Sequence, residues 1–180
     1  ITIIGSGAIA LLHLQLALIQ GAEEIIVIGS GEKRLQTALD LGAWRVIDRK
    51  QEEPEEVVRT VTRGYGPDTV IECAGDPEAW SLALRMVRKG GKVLLFGGCA
   101  ADSEVTFGTE KIHYGEVTIL GSFHFTPKDV RESLELLLRG DVKGAPLITA
   151  VIRLEDVEAG LQSMMNSDCL KLAIQPVESN

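Results

Sequence analysis

The stretch Ile1-Thr2-Ile3-Ile4-Gly5-Ser6-Gly7-Ala8-Ile9-Ala10 decides the fold. Its first four residues are all β-branched and mostly apolar, the pattern of a parallel strand covered by helices on both faces. A glycine turn follows at once, and a long apolar helical pattern opens directly after it. The spacing G-x-G-x-x-A is a variant of the dinucleotide-binding fingerprint, and here it has the strand before it and the helix behind it that the fingerprint requires. Gly5 permits the tight turn, Gly7 lets a pyrophosphate come close to the backbone, and Ala10 keeps the helix near the sheet. A helix N-terminus offers free N–H groups and partial positive charge to phosphates. Gly5, Gly7, Ala8 and Ile9 are therefore candidate pyrophosphate contacts; the alternative is a glycine turn that holds no ligand.

Outward from this stretch, short apolar runs alternate with helical patterns. Strands are predicted at 1–4, 25–28, 45–48, 69–72, 92–96 and 117–120, and helices at 8–20, 32–41, 54–63, 77–89, 110–114 and 127–139. Asp76-Pro77 and Thr126-Pro127 each set a capping oxygen before a proline in the first helical turn. Pro54 is followed by Glu55 and Glu56, which suit the positive end of the helix dipole. Gly21, Gly42, Gly90 and Gly140 stand where helices should stop. Repeated strand–helix alternation gives an α/β fold, a doubly wound, parallel six-stranded sheet. After Pro146 the rhythm changes to a strand at 147–153, a helix at 155–166 and a strand at 170–175. This C-terminal βαβ segment does not extend the first sheet. Residues 1–147 are expected to form the dinucleotide-binding unit and 148–180 to belong with a neighbouring domain. Because the chain opens inside a core strand without a methionine, it is expected to be a piece of a longer polypeptide.

Composition removes several classes of function. Of 180 residues, 18 are Lys or Arg and 26 are Asp or Glu, a net charge of -8, so the basic face that nucleic acid requires is not expected. Aromatic residues are 4%, too few for base-stacking platforms. Cys73, Cys99 and Cys169 are far apart with no C-x-x-C, which argues against a disulfide framework and a zinc knuckle and suits a reducing, cytoplasmic compartment. No apolar run approaches the roughly 20 residues of a membrane-crossing helix.

The tip of the second strand bears on which dinucleotide is bound. An acid about 20 residues after the motif holds the adenosine ribose hydroxyls of NAD. Here the tip is Gly29, followed by Ser30, Gly31, Glu32, Lys33 and Arg34. A small polar loop and two cations suit a 2′-phosphate, so NADP is expected over NAD, with Gly29, Ser30, Lys33 and Arg34 as candidate contacts. Lys33 and Arg34 also read as a solvated helix start. Ala74 and Gly75 after the fourth strand, and Gly97 and Gly98 after the fifth, stand where open α/β sheets bind ligands, and their small size lets a flat ring approach. Cys73 has no base to pair with and reads as a small buried hydrophobe. His13 reads as a packed histidine. His113 and His124 flank the sixth strand, but their spacing matches no zinc signature. No catalytic residue and no metal ligand is assigned to this chain.

The ordered set of these motifs resembles one family. Residues 4–17, Arg34-Leu35 through Leu41-Gly42-Ala43, Asp68-Thr69-Val70-Ile71-Glu72-Cys73-Ala74-Gly75, Lys89-Gly90-Gly91-Lys92-Val93 with Gly97-Gly98, and Gly121-Ser122-Phe123 before Thr126-Pro127-Lys128-Asp129 are similar to the zinc-dependent medium-chain alcohol dehydrogenases. The polyol (sorbitol) and threonine dehydrogenase branches are the most alike. The resemblance implies reversible hydride transfer between a secondary alcohol and NAD(P). It also implies a catalytic zinc held by a domain that precedes Ile1, so zinc belongs to the longer enzyme and not to this chain. It adds Ser122 and Phe123 to Ala74, Gly75, Gly97 and Gly98 as nicotinamide contacts. Homo-oligomers paired through the edge of the sheet are implied too, at 117–120 with a short strand at 105–107 beside it. The chain departs from NAD-using relatives at Gly29, where they carry Asp or Glu. Two other readings use a similar fold, a methyltransferase and a non-catalytic nucleotide-sensing module; both favour an acid where Gly29 stands.

Overall fold

A computed structural model describes residues 1–165 and 169–176. Six strands, β1 (Thr2–Ile4), β2 (Ile26–Gly29), β3 (Arg45–Asp48), β4 (Thr69–Glu72), β5 (Lys92–Leu95) and β6 (Thr118–Gly121), form one sheet in the order β3-β2-β1-β4-β5-β6. Every neighbouring pair is parallel. The helices between them are α1 (Ala8–Ile19), α2 (Glu32–Asp40), α3 (Pro54–Val61), α4 (Pro77–Met86) and α5 (Thr109–His113), with α6 (Pro127–Arg139) after β6. This is the doubly wound arrangement read from the sequence, with its crevice between β1 and β4, where the strand order reverses.

Two apolar layers clamp the sheet. Ile3, Val27 and Ile71 face Leu11, Leu14 and Ala38 of α1 and α2 on one side. Ile4, Ile28, Val70 and Val93 face Val58, Ala83 and Leu84 of α3 and α4 on the other. Adjacent residues of one strand, such as Ile3 and Ile4, thus serve opposite layers, which is why the strands read as unbroken apolar runs. Side chains buried as fully as Leu11, Leu14 and Ile3, all at 0% exposure, contribute about 1.5–3 kcal/mol each.

The caps form as their residues predict. Asp76 accepts the Ala79 N–H at 2.9 Å, and Thr126 with Asp129 makes a reciprocal capping box on α6. Gly140 closes α6 in the left-handed conformation, φ 75°. Two helices stop two or more residues short of their predicted ends. α4 ends at Met86, because Val87 turns extended and the Lys111 ammonium takes the Val87 carbonyl. α3 ends at Val61, and the Thr62 hydroxyl then accepts the Gly66 N–H.

The C-terminal segment is a separate two-stranded parallel sheet, β7 (Ile148–Arg153) and β8 (Lys171–Gln175), joined through α7 (Val157–Met165). The helix predicted at 155–166 begins instead with a short 3₁₀ turn, Leu154–Asp156, and its last position lies outside the described residues. No strand forms at 105–107; Phe107 packs into the α3/α4 layer instead. The apolar residues of α6 have little cover: Val130, Leu134 and Leu138 are exposed and none of its residues is buried. Among the described residues no helix is long and apolar enough to cross a membrane.

Gln15, buried in α1, ties the start of the segment that leads to β7. Its Oε1 accepts the Lys143 N–H at 2.7 Å and its Nε2 donates to the Lys143 carbonyl at 3.3 Å, as a strand partner would. Gln15→Leu, which keeps bulk and leaves the Lys143 main chain unpaired, should cost about 1–3 kcal/mol. Urea denaturation measures the loss, and limited proteolysis should show faster cleavage near residue 143.

Candidate dinucleotide site

The crevice at the carboxyl ends of β1 and β4 is built where main chain meets main chain. Gly5 turns at φ 122°, donates its N–H to the Ile28 carbonyl at 2.7 Å, and leaves only 3.3 Å between a would-be β-carbon and the Cys73 backbone. Gly7 is the N-cap of α1 and has no side chain to occupy the first-turn N–H groups. A β-carbon placed on Gly7 would have nothing within 4 Å, so the cradle in front of Ala8 and Ile9 is open. Ala10 is 1% exposed and presses the helix onto the sheet. These features fit a pyrophosphate. A cavity of about 240 Å³ lies between the ends of β1 and β2 and the N-termini of α3 and α4, lined by Ile4, Ile28, Arg49, Asp76, Ala79 and Leu82. A second cavity, about 570 Å³, opens at the amino ends of the strands beside Ile1, Trp44 and Pro67, away from the crevice.

At the tip of β2, Gly29 carries a constraint that its identity alone does not reveal. A β-carbon there would stand 2.3 Å from Cβ and Oγ of Ser6. Ser6 is 6% exposed, and its hydroxyl donates to the Ser30 carbonyl at 3.1 Å while accepting the Ser30 N–H at 3.3 Å. The Ser30 N–H, a natural donor to a 2′-phosphate, is therefore already engaged. Arg34 is drawn toward the C-terminal segment: its Nη2 donates to the Cys169 carbonyl at 2.8 Å, and its Nε is buried without a partner. Lys33 is exposed one residue earlier.

On the other side of the crevice, the loops after β4 and β5 touch. A β-carbon on Gly75 would be 2.7 Å from the Gly98 carbonyl oxygen, and one on Gly97 would be 2.4 Å from the Gly75 nitrogen. Ala74 and Gly98 are exposed above this contact. The Ser122 N–H reaches the Leu95 carbonyl at 3.4 Å, which brings the end of β6 beside them, and Phe123 stands 88% exposed. The structure thus gathers Gly5, Gly7, Ala8, Ile9, Gly29 and Ser30 on one part of the carboxyl edge and Ala74, Gly75, Gly97, Gly98 and Ser122 on the other.

Three residues of this edge were missed in the sequence: Ser6, Glu72 and Trp80. Glu72 ends β4 as a fully buried carboxyl group. Burial pushes its pKa above the usual carboxylate value, the N–H groups of Gly75 and Ala74 pull it back, the Asp76 charge pushes it up again, and the nearby Trp80 indole N–H lowers it. Burial likewise raises the Cys73 thiol to about 12, aided by Glu72, so Cys73 is no nucleophile. His13 sits edge-on against Phe96 at 4.6 Å with its pKa lowered by burial, in keeping with a packed histidine. Among the described residues no three His, Cys, Asp or Glu side chains gather as a metal site, so these residues do not fit a zinc ion.

An all-parallel doubly wound sheet with an open glycine cradle at its switch point defines a dinucleotide-binding α/β protein. Comparison with known proteins narrows this. The model of the zinc-binding dehydrogenases matches residues 8–139, and the chain belongs to that family. It is 30% identical over 178 residues to sorbitol dehydrogenase of Bacillus subtilis (strain 168), covering 98% of this chain and 50% of that one. It is 33% identical over 179 residues to L-threonine 3-dehydrogenase of Bacillus velezensis, covering 97% and 50%. Among solved structures, a zinc-binding dehydrogenase of Sinorhizobium meliloti 1021 bound to NADP superposes with a TM-score of 0.87 at 27% identity, over 97% of this chain and 52% of that one. The chain spans about half the length of the curated relatives it matches.

Two outcomes are expected. Gly29→Asp alone should destabilise the protein by about 1–3 kcal/mol, since its β-carbon cannot share space with Ser6. Adding Ser6→Gly should return part of that stability, read as the urea midpoint of each variant. The second outcome concerns pH. The folded state holds the Glu72 proton to higher pH than the unfolded chain does. The stability this contributes is present below the ordinary value of 4.5 and is lost as pH rises through the raised one. Glu72→Gln should lack that part of the pH dependence when both proteins are titrated with urea from pH 4 upward.

Proposed function

We propose that this chain is the coenzyme-binding part of a zinc-dependent alcohol or polyol dehydrogenase, an oxidoreductase that moves hydride between a secondary alcohol and NAD(P). The observation that carries the reading is the uncapped, open N-terminus of α1 at Gly7, set at the strand-order reversal of a six-stranded parallel sheet. The pyrophosphate binds there, the adenosine half extends over Gly29 and Ser30, and the nicotinamide half extends over Ala74, Gly75, Gly97 and Gly98 toward Ser122 and Phe123. What the coenzyme supplies when bound is the hydride chemistry; this chain supplies its position. The alcohol is gripped elsewhere in the longer enzyme, and residues 148–180 return toward that part.

NADP is the coenzyme in this reading. Gly29 offers no carboxylate to the ribose hydroxyls and no charge against a phosphate. The Ser30 hydroxyl, Lys33 and the remaining N–H groups of Arg34 are the donors. The exposed edge at β6 pairs two copies, with Leu120 exposed along it. The compartment is the cytoplasm, where the three free thiols stay reduced.

Calorimetric titration of the chain with NADP, NAD and S-adenosylmethionine tests the reading. NADP should bind about ten- to a hundred-fold more tightly than NAD, the worth of one charge-assisted hydrogen bond of about 1.5–3 kcal/mol. Arg34→Ala should weaken NADP more than NAD. S-adenosylmethionine should give no heat of binding. Equal affinities for the two dinucleotides would remove the preference, and no binding of either would remove the function.

A further inference from the structure

The carboxyl group of Glu72 lies between the glycine loops that follow β4 and β5. One oxygen, Oε1, accepts two main-chain N–H groups, Ala74 at 2.5 Å and Gly75 at 2.8 Å. The other, Oε2, is buried without a partner, and a β-carbon on Gly97 would come within 2.8 Å of it. The loop after β5 therefore rests on this carboxyl group while the loop after β4 is wrapped around it. From the far side, the indole N–H of Trp80 in α4 donates to the Gly97 carbonyl at 3.0 Å. Besides the main-chain bonds from the Phe96 and Gly97 N–H groups to the Glu72 carbonyl at 3.0 and 2.9 Å, the loop after β4 is tied by the Glu72 side chain and the loop after β5 by Trp80, and the loops meet at the close approach of Gly75 to Gly97 and Gly98. Neither Glu72 nor Trp80 is expected to touch a ligand.

A fully buried carboxyl group with an oxygen left unpaired is an expensive way to close a turn. A serine or asparagine side chain also accepts local N–H groups and brings no buried charge with it. What the longer acid does, and a local turn residue would not, is reach from the end of β4 to the floor of the next loop. We propose that Glu72 and Trp80 are positioning residues that set the spacing of the two glycine loops and so hold the nicotinamide ring, and not the adenosine half, of the bound coenzyme. This rests on the coenzyme reading above. The ring enters between groups whose separation is fixed by main-chain hydrogen bonds, so little ordering is left to be done on binding.

The test compares two pairs of probes that differ only in the ring: NADPH against 2′-phospho-ADP-ribose, and NADH against ADP-ribose. In the parent chain the ring should strengthen binding and change the nicotinamide fluorescence. Glu72→Ala should weaken NADPH and NADH about tenfold, leave the ring-less probes within twofold, and reduce the fluorescence change. Glu72→Gln, whose carbonyl oxygen can still accept both N–H groups, should stay within about threefold of the parent. Trp80→Phe should shift the ring-bearing probes in the same direction as Glu72→Ala, and it carries the comparison if that variant does not fold. Equal losses for ring-bearing and ring-less probes, or no loss for either, would overturn the positioning role while leaving the coenzyme reading intact. A parent chain that binds none of the four probes would overturn both.

Discussion

Main chain meets main chain along the carboxyl edge of the sheet at distances no β-carbon permits, and the crevice depends on that approach. Gly75 and Gly97 are pressed to one another, and Gly29 is pressed to the Ser6 side chain. Parallel strands end in loops that must turn toward helices, and two such loops side by side compete for the same space. Removing the side chain lets the backbones share it, at a conformational cost on folding that each glycine carries. Packing on both faces of the sheet compensates. The two apolar layers hold the strand ends from which these loops spring in register.

The electrostatics of the edge follow from the same closeness. Where backbones crowd, their N–H groups need acceptors that water cannot supply. Ser6 serves the Ser30 N–H, Glu72 serves Ala74 and Gly75, and Asp76 serves the first turn of α4. The first turn of α1 has no side-chain cap, as is also true of α2, α3 and α5, whereas α4 and α6 carry one. What sets α1 apart is its place at the strand-order reversal with an open glycine in front of it, where an anion can add hydrogen bonds.

Much of this was legible in the sequence. The strand–glycine–helix opening, the alternation and the proline caps gave all six strands in the correct order of elements, since β-branched runs bounded by glycine leave little ambiguity. The gathering of Gly5, Gly7, Ala74, Gly75, Gly97 and Gly98 at one edge followed from the rule that ligands bind beyond the carboxyl ends of parallel strands. What stayed hidden were contacts across the chain. No role was read for Ser6 between the two glycines; its tie to Gly29 and Ser30 depends on how close β1 and β2 bring their ends. Glu72 read as the last residue of a strand, and nothing local showed that its carboxyl group is enclosed. Arg34 is adjacent to the cofactor motif in the sequence, but its partner Cys169 is 135 residues away. The short strand at 105–107 failed because Phe107 gains more from the apolar layer under α4 than an edge strand would offer it.

The Arg34 contact also joins the two parts of the chain. The turn before β8 reaches the N-terminus of α2 through the Cys169 carbonyl, and Leu170 packs against the α1/α2 layer. Gln15 holds the other end of the excursion at Lys143. Between these two anchors the β7–α7–β8 unit exposes Val151, Leu154, Leu161 and Met165, and α6 exposes its own apolar residues just before it. Surface of that kind is stable in water only when something covers it. The chain spans about half of each relative it matches. A shift of the C-terminal segment would move the Cys169 carbonyl that orients Arg34, at the start of the helix after Ser30.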